Sequence, residues 1–142
     1  MLIRNMCEKD LPRVYEIERS IFSKPWSEAD FKKSLADFNN IYLIVEEQDN
    51  IVAYCGLWGV AGEGQINNVA VIKPCRDRGI ARSMLTTMLE IGREQGLEAF
   101  TLEVRVSNQS AITLYHKLGF KDAGERKNFY EAPTEDALIM WL

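Results

Sequence analysis

The hydrophobic period of this chain changes once between residues 65 and 91, and that change limits the folds open to it. Gln65 to Val71 alternates as a strand does, and from Ile80 the residues Met84, Leu85, Met88, Leu89 and Ile91 recur at helical spacing. Gly96 reads as the stop of that helix. A further strand follows at Phe100 to Val106, where apolar residues alternate with Thr101, Glu103 and Arg105. Strand, single helix and strand in this order form a right-handed crossover that sets the two strands parallel.

The flanking segments extend that unit into a sheet. Leu2 to Met6 reads as a first strand; Asp10 then resembles an N-cap with Pro12 in the first turn of a helix striped by Leu11, Val14, Tyr15, Ile17, Ile21 and Phe22. Ser27 with Asp30 three residues on resembles a capping box before a second helix carrying Phe31, Leu35 and Phe38. Ile41 to Glu46 and Ile51 to Val60 are β-rich runs around a hairpin signal at Gln48-Asp49-Asn50, and Ala61 to Gly64 makes the next turn. After residue 106, Ala111, Leu114, Tyr115 and Leu118 mark a short helix closed by Gly119. Strands near Lys121 to Tyr130 and Ala137 to Trp141 end the chain. The order is β-α-α-β-β-β-α-β-α-β-β, an α+β fold with helices on the faces of its sheet.

Composition narrows the partners. The 142 residues carry a net charge of −4, which argues against a general nucleic-acid binder. That average hides a local patch: Lys73, Arg76, Arg78 and Arg82 against Asp77 give +3 over residues 73 to 82 and leave −7 elsewhere. Cys7, Cys55 and Cys75 are far apart, and with one histidine, His116, they offer neither a zinc set nor a disulfide framework. The start MLIRNMCEKD is too charged for a signal peptide, and no apolar run reaches the ~18 residues of a membrane span, so the expected compartment is the cytoplasm. With no repeat or linker, residues 1–142 read as one domain.

The basic patch lies between strand and helix. A helix start leaves N–H groups unpaired and carries about half a positive charge, so it is suited to an anion. Gly79 permits close approach of a phosphate, and the arginines supply charge-assisted contacts. The loop is neither a Walker A element nor a GxGxxG fingerprint; its spacing is R-x-x-G-x-A, as Arg76, Gly79 and Ala81. By pattern alone it equally suits a solvated helix cap.

With its surroundings, NVAVIKPCRDRGIARSML, this loop resembles the [QR]-x-x-G-x-[GA] acetyl-CoA signature of the GNAT N-acetyltransferases. IFSKPWSEADF, LEVRVSNQSAITLYHKLGF and ERKNFYEAPTEDALIMWL extend the likeness over nearly the whole chain, toward the bacterial subgroup that acetylates the N-terminus of a ribosomal protein. FSKPW has one residue more than that subgroup's usual FPW, and Cys75 stands where an aromatic is common. The resemblance implies a mixed, mostly antiparallel seven-stranded sheet flanked by four helices. It also implies acetyl-CoA as co-substrate, no metal, and coenzyme A contacts from Arg76, Asp77, Arg78, Gly79, Ile80, Ala81 and Arg82, from the backbone of Val69, Ala70 and Val71, and from Asn108.

Acetyl transfer needs a neutral amine. A peptide α-amine, with a pKa of ~7.7–8.0, is about one-tenth neutral at pH 7, whereas a lysine at ~10.4 costs roughly 3.4 kcal/mol more to deprotonate. A mild base therefore suffices for an N-terminal substrate. Glu103, a carboxylate within TLEVRV, reads from the residues alone as a surface partner of Arg105; the resemblance makes it the proton acceptor, acting directly or through a water. Tyr115 reads either as a core aromatic or, by resemblance, as the proton donor to the departing thiolate. A backbone N–H at the thioester oxygen is worth about 2.7–4 kcal/mol when well placed.

Further residues complete the expected site. His116 adjoins Tyr115 and so points about 100° away around the helix, toward the surface. Cys75 offers a covalent route, but without a neighbouring base, direct transfer is expected. Trp26 with Pro25, and Phe129 with Tyr130, read as packing aromatics; the resemblance makes them walls of a slot for a peptide N-terminus, with Trp26 and Tyr130 binding substrate. Glu28 and Glu131 are acids suited to attract a basic tail. The expected activity is acetylation of a protein's N-terminal α-amine, with a lysine or small-amine acetyltransferase and a non-catalytic acyl-CoA-binding module as the other readings. Direct nucleic-acid or membrane binding is not expected.

Overall fold

Short turns and alternating apolar residues draw most of the chain into one sheet, which a computed structural model describes for all residues 1–142. In chain order the elements are β1 (Leu2–Asn5), α1 (Leu11–Ile21), α2 (Glu28–Leu35), β2 (Ile41–Glu47), β3 (Asn50–Val60), β4 (Glu63–Val71), α3 (Ile80–Glu94), β5 (Ala99–Arg105), α4 (Gln109–Lys117), β6 (Lys121–Tyr130) and β7 (Glu135–Trp141). Single turns of 3-10 helix at Glu8–Asp10 and Lys73–Cys75 precede α1 and α3. The seven strands run β1-β2-β3-β4-β5-β7-β6, with β4 and β5 the parallel pair and every other pair antiparallel.

Local chemistry explains the turns. Gln48 and Asp49 both adopt positive φ, 52° and 62°, so the β2–β3 hairpin closes on those two residues and β3 already begins at Asn50. Ala61 and Gly62 (51° and 82°) do the same between β3 and β4, a tighter turn than Ala61 to Gly64. The Ser27 and Asp30 capping box forms as expected. Asp10 differs: it stands at the start of α1 without capping it, and its carboxylate takes Arg4 at 2.8 Å and the Cys7 N–H at 2.8 Å. Arg4 holds the Asp10 carboxyl down at about 2, and so ties β1 to the first helix.

The sheet separates two cores. Ile80, Met84, Leu85, Met88 and Leu89 of α3, with Ile112 and Tyr115 of α4, pack on one face against Leu43, Cys55, Leu57, Ile66, Phe100 and Leu102. Leu11, Val14 and Ile17 of α1, with Phe31 of α2, cover Tyr42, Ile44, Tyr54 and Ala70 on the other. Gly56 pairs with Tyr42 across the β2–β3 ladder, and a Cβ there would fall within the Tyr42 ring. The ring occupies the side-chain space that glycine leaves, which carries its hydroxyl within 3.4 Å of Asn68.

Gly56→Ala therefore has to push the Tyr42 ring aside, and overpacking of this kind costs about 1–3 kcal/mol. Urea unfolding should show a lower midpoint with an unchanged slope.

Candidate active site

The site begins where β4 and β5 part. Their parallel ladder runs from Glu63↔Ala99 to Ile66↔Leu102 and stops. Beyond it β4 pairs only with β3, and β5 continues along β7 as far as Arg105↔Ala137. The β3–β4 register slips at the same place: Leu57 faces Ile66, Gly56 faces Asn68, and Asn67 is the unmatched residue. One extra residue turns a strand over. Ile66 thus lies in the α3-side core and Asn68 meets Tyr42 on the α1-side, while Val69 returns to the α3-side.

Two cavities open in the resulting cleft, of ≈ 790 and ≈ 760 Å³. They share Ile21, Phe22, Val69, Asn108 and Tyr115, so they meet at the phenol of α4.

The smaller cavity lies between a strand and a helix N-terminus. Val69, Ala70 and Val71 line one side, and Cys75, Arg76, Asp77, Gly79, Ile80, Ala81 and Arg82 line another. Gly79 has φ 79° and nothing lies within 4 Å of where its Cβ would be, so the turn conformation demands glycine there. The N–H groups of Ile80, Ala81 and Arg82 precede the first bond of α3, from Ser83 N to Gly79 O at 3.1 Å, and are free to meet an anion. Arg76 ties the loop to β4 through Nε to the Val71 carbonyl at 2.9 Å. The Arg78 side chain is directed elsewhere: its two terminal nitrogens grip Glu47 of β2 at 2.9 and 2.8 Å, and the residue lines neither cavity. Asn108 lines both cavities and caps α4 as well, accepting from Ala111 N at 3.3 Å.

The larger cavity holds the remaining candidates. Glu103 is mostly covered, with 17% of its side chain exposed; its Oε2 lies 3.5 Å from Arg126 Nε yet has no hydrogen-bond partner. Arg105 is not its partner. That guanidinium is held in the β6–β7 turn by Glu135 at 3.2 Å and by the carbonyls of Pro133 and Glu131, and it lies 4.6 Å from the Tyr130 ring centre. Tyr130 is half-buried, and burial above all, with the Glu103 charge adding, pushes its phenol up to about 12. Burial pushes the Tyr115 phenol further above its ordinary value, so it stays protonated.

Aromatics form the walls. Trp26 lies 5.1 Å from Phe31 and 5.9 Å from Trp58, and it lines the cavity; Phe129 meets Tyr130 edge-on at 5.0 Å. Of the two acids expected to attract a basic tail, Glu131 lines the cavity but is ion-paired with Lys24, and Glu28 sits exposed at the start of α2, off both cavities. His116 lies outside, 2.7 Å from Asp122. No group of three or more His, Cys, Asp or Glu side chains is placed to hold a metal, and no helix is long and apolar enough to cross a membrane.

Glu18 is the residue that a reading of the sequence passes over. It is 3% exposed on α1 and lines the larger cavity. One carboxylate oxygen accepts from the Tyr54 hydroxyl, the other from Trp26 N at 3.0 Å, with Asn68 also bonded. The signal was present: Glu18 stands seven residues after Leu11 and four after Val14, on the apolar stripe itself.

The site thus joins a strand-backed helix N-terminus to a covered carboxylate. Residues 11–120 match the model of the Acetyltransferase (GNAT) family, and the chain is an N-acetyltransferase belonging to that family, whose members use acetyl-CoA. The [ribosomal protein bS18]-alanine N-acetyltransferase of Haemophilus ducreyi is 34% identical over 145 residues, covering 99% of both chains. A Bacillus subtilis (strain 168) relative, provisionally given that name, is 38% identical over 141 residues, covering 99% of this chain and 93% of its own. The crystal structure of the ribosomal-protein-S18-alanine N-acetyltransferase from Escherichia coli superposes with a TM-score of 0.92 at 31% identity, covering 99% of this chain and 92% of that one.

Burial raises the Glu18 carboxyl above its usual range against the pull of its three donors. A carboxyl so raised favours the fold below its unfolded value and loses that contribution as pH climbs through the folded one. The stability difference of Glu18→Gln should therefore move in favour of the variant between pH 5 and pH 8, as read by urea unfolding at each pH.

Proposed function

We propose that this chain transfers acetyl from acetyl-CoA to the N-terminal α-amine of a protein in the cytoplasm, with the N-terminal alanine of ribosomal protein bS18 as substrate and residues 1–142 as one catalytic domain. The observation that carries the reading is Glu103, a carboxylate that lines the larger cavity with an oxygen lacking any hydrogen bond, near the junction where Tyr115 adjoins the smaller cavity. The names of the bacterial relatives supply the substrate.

The smaller cavity fits coenzyme A. The α3 N-terminus with Arg76 and Arg82 would hold the pyrophosphate, and the backbone of Val69, Ala70 and Val71 would run beside the pantetheine arm. Bound there, acetyl-CoA supplies a thioester whose carbonyl carbon takes the amine and whose C–S bond then breaks. Glu103 accepts the proton that the amine sheds, directly or through one water. Tyr115, kept protonated by burial, gives its proton to the departing sulfur and regains one from solvent. Trp26 and Tyr130 flank the extended peptide. Arg78, held by Glu47, takes no part.

General base removal is typically worth about 10²–10⁴-fold, so Glu103→Gln should lower kcat/KM at least a hundredfold at pH 7 while the KM for acetyl-CoA stays near wild type. Mass spectrometry of two peptides, one with a free N-terminal alanine and no lysine, the other N-terminally blocked with one lysine, tests the substrate class. Acetyl on the first alone is expected; acetyl mainly on the lysine would replace this reading with that of a lysine acetyltransferase.

A further inference from the structure

Two buried side-chain polar atoms of this chain lack a hydrogen-bond partner, Glu103 Oε2, an acceptor, and Asn67 Nδ2, a donor, and both belong to residues that line the larger cavity. Buried polar atoms are rarely left unmet, and each such atom calls for an explanation. Glu103 already has one. Asn67 does not.

Their positions are linked. Ile66↔Leu102 is the last rung between β4 and β5, so Asn67 and Glu103 are each the first residue beyond it, on the two strands that part to open the cleft. Asn67 is also the unmatched residue of the β3–β4 slip, which frees it from the alternation that binds its neighbours. Asn68 beside it accepts from the Tyr42 hydroxyl at 3.4 Å and lies close enough to Glu18 to pull its carboxyl down. Asn67 lines the larger cavity only, so its free donor serves the acceptor substrate and not the acetyl donor.

A donor and a carboxylate at the mouth of one cleft fit a group that carries an acceptor oxygen close to an amine. The first residue of a peptide is such a group: its α-nitrogen and carbonyl oxygen lie within about 3.6 Å of each other at standard bond lengths. A lysine side chain and a polyamine carry no carbonyl so near the amine. We propose that Asn67 donates to the carbonyl oxygen of the substrate's first residue while Glu103 receives its α-amine, so that the pair selects an α-amino amide over a side-chain amine. This inference rests on the N-terminal reading above. Asn67 is then a specificity-determining residue. A substrate without that carbonyl leaves its amide buried and unmet, which is costly in the way that a missing hydroxyl is in sites built to bind one.

Three alanine-first peptides test it: the natural amide, an ester at the first linkage, which keeps the carbonyl and loses the N–H, and an alkene isostere, which loses both. For the wild type, kcat/KM should fall about tenfold from ester to alkene. In Asn67→Leu the natural peptide should lose about tenfold and the ester-to-alkene ratio should approach one. Asn67→Asp, which keeps the shape and removes the donor, should show the same flattened ratio; it serves if Asn67→Leu does not fold, as judged by thermal melting. The preference for an α-amine over a lysine amine should shrink by a similar factor in both variants. An unchanged ester-to-alkene ratio in folded variants would overturn the Asn67 contact and leave the N-terminal reading standing. Failure of the wild-type enzyme to acetylate any peptide α-amine would overturn both.

Discussion

The parting of β4 from β5 is the constraint on which the rest of this structure depends. Ending a ladder inside a sheet leaves backbone N–H and C=O groups without partners, and buried groups of that kind are costly. The fold manages the break by keeping each strand bound on its outer side, β4 by β3 and β5 by β7, and by opening the inner side into two cavities. The extra residue at Asn67 makes this compatible with two cores. Without it, Ile66, Asn68 and Ala70 would face the same way; with it, Ile66 stays under α3 and Ala70 turns under α1.

Two carboxylates flank that cleft, and their different partners divide their tasks. Glu18 bonds the Tyr54 hydroxyl, the Trp26 amide and Asn68, so it joins α1, the segment after it, β3 and β4 around the wall of the larger cavity. Charge buried with that many donors is a structural hub, and its oxygens are already spent. Glu103 has only Arg126 nearby, 3.5 Å from the same Oε2 that lacks a hydrogen bond. The same division separates two buried tyrosines, since Tyr54 spends its hydroxyl on Glu18 while Tyr115 lies where the cavities meet.

Features set by near neighbours are legible in the amino-acid sequence itself. The Ser27 capping box and the hairpin around Gln48 and Asp49 each depend on residues within a few positions. The parallel crossover follows from one change of period. What escapes depends on distant partners or on register. Arg78 belongs to the same basic run as Arg76, and nothing local separates them; Glu47, 31 residues away on β2, does. Asn67 sits in an unbroken β-like run, and only the β3 register shows it to be the odd residue. Glu18 is visible on its stripe, but a count of apolar positions alone passes over a buried acid.

The basic loop shows how backbone and side-chain charge combine. Its +3 composition suggests an anion site, yet the ion pair it makes, Arg78 with Glu47, is directed back into the protein. Arg76 spends one nitrogen on the Val71 carbonyl, which fixes the loop against the strand. The loop therefore offers three open N–H groups at the start of α3, presented by the left-handed turn at Gly79, with the charges of Arg76 and Arg82 around that frame. Exposed arginines on flexible stems lose side-chain freedom when they bind, whereas helix amides are already fixed by the fold. A loop with one glycine in the right place thereby gathers positive potential in a protein whose overall charge is negative.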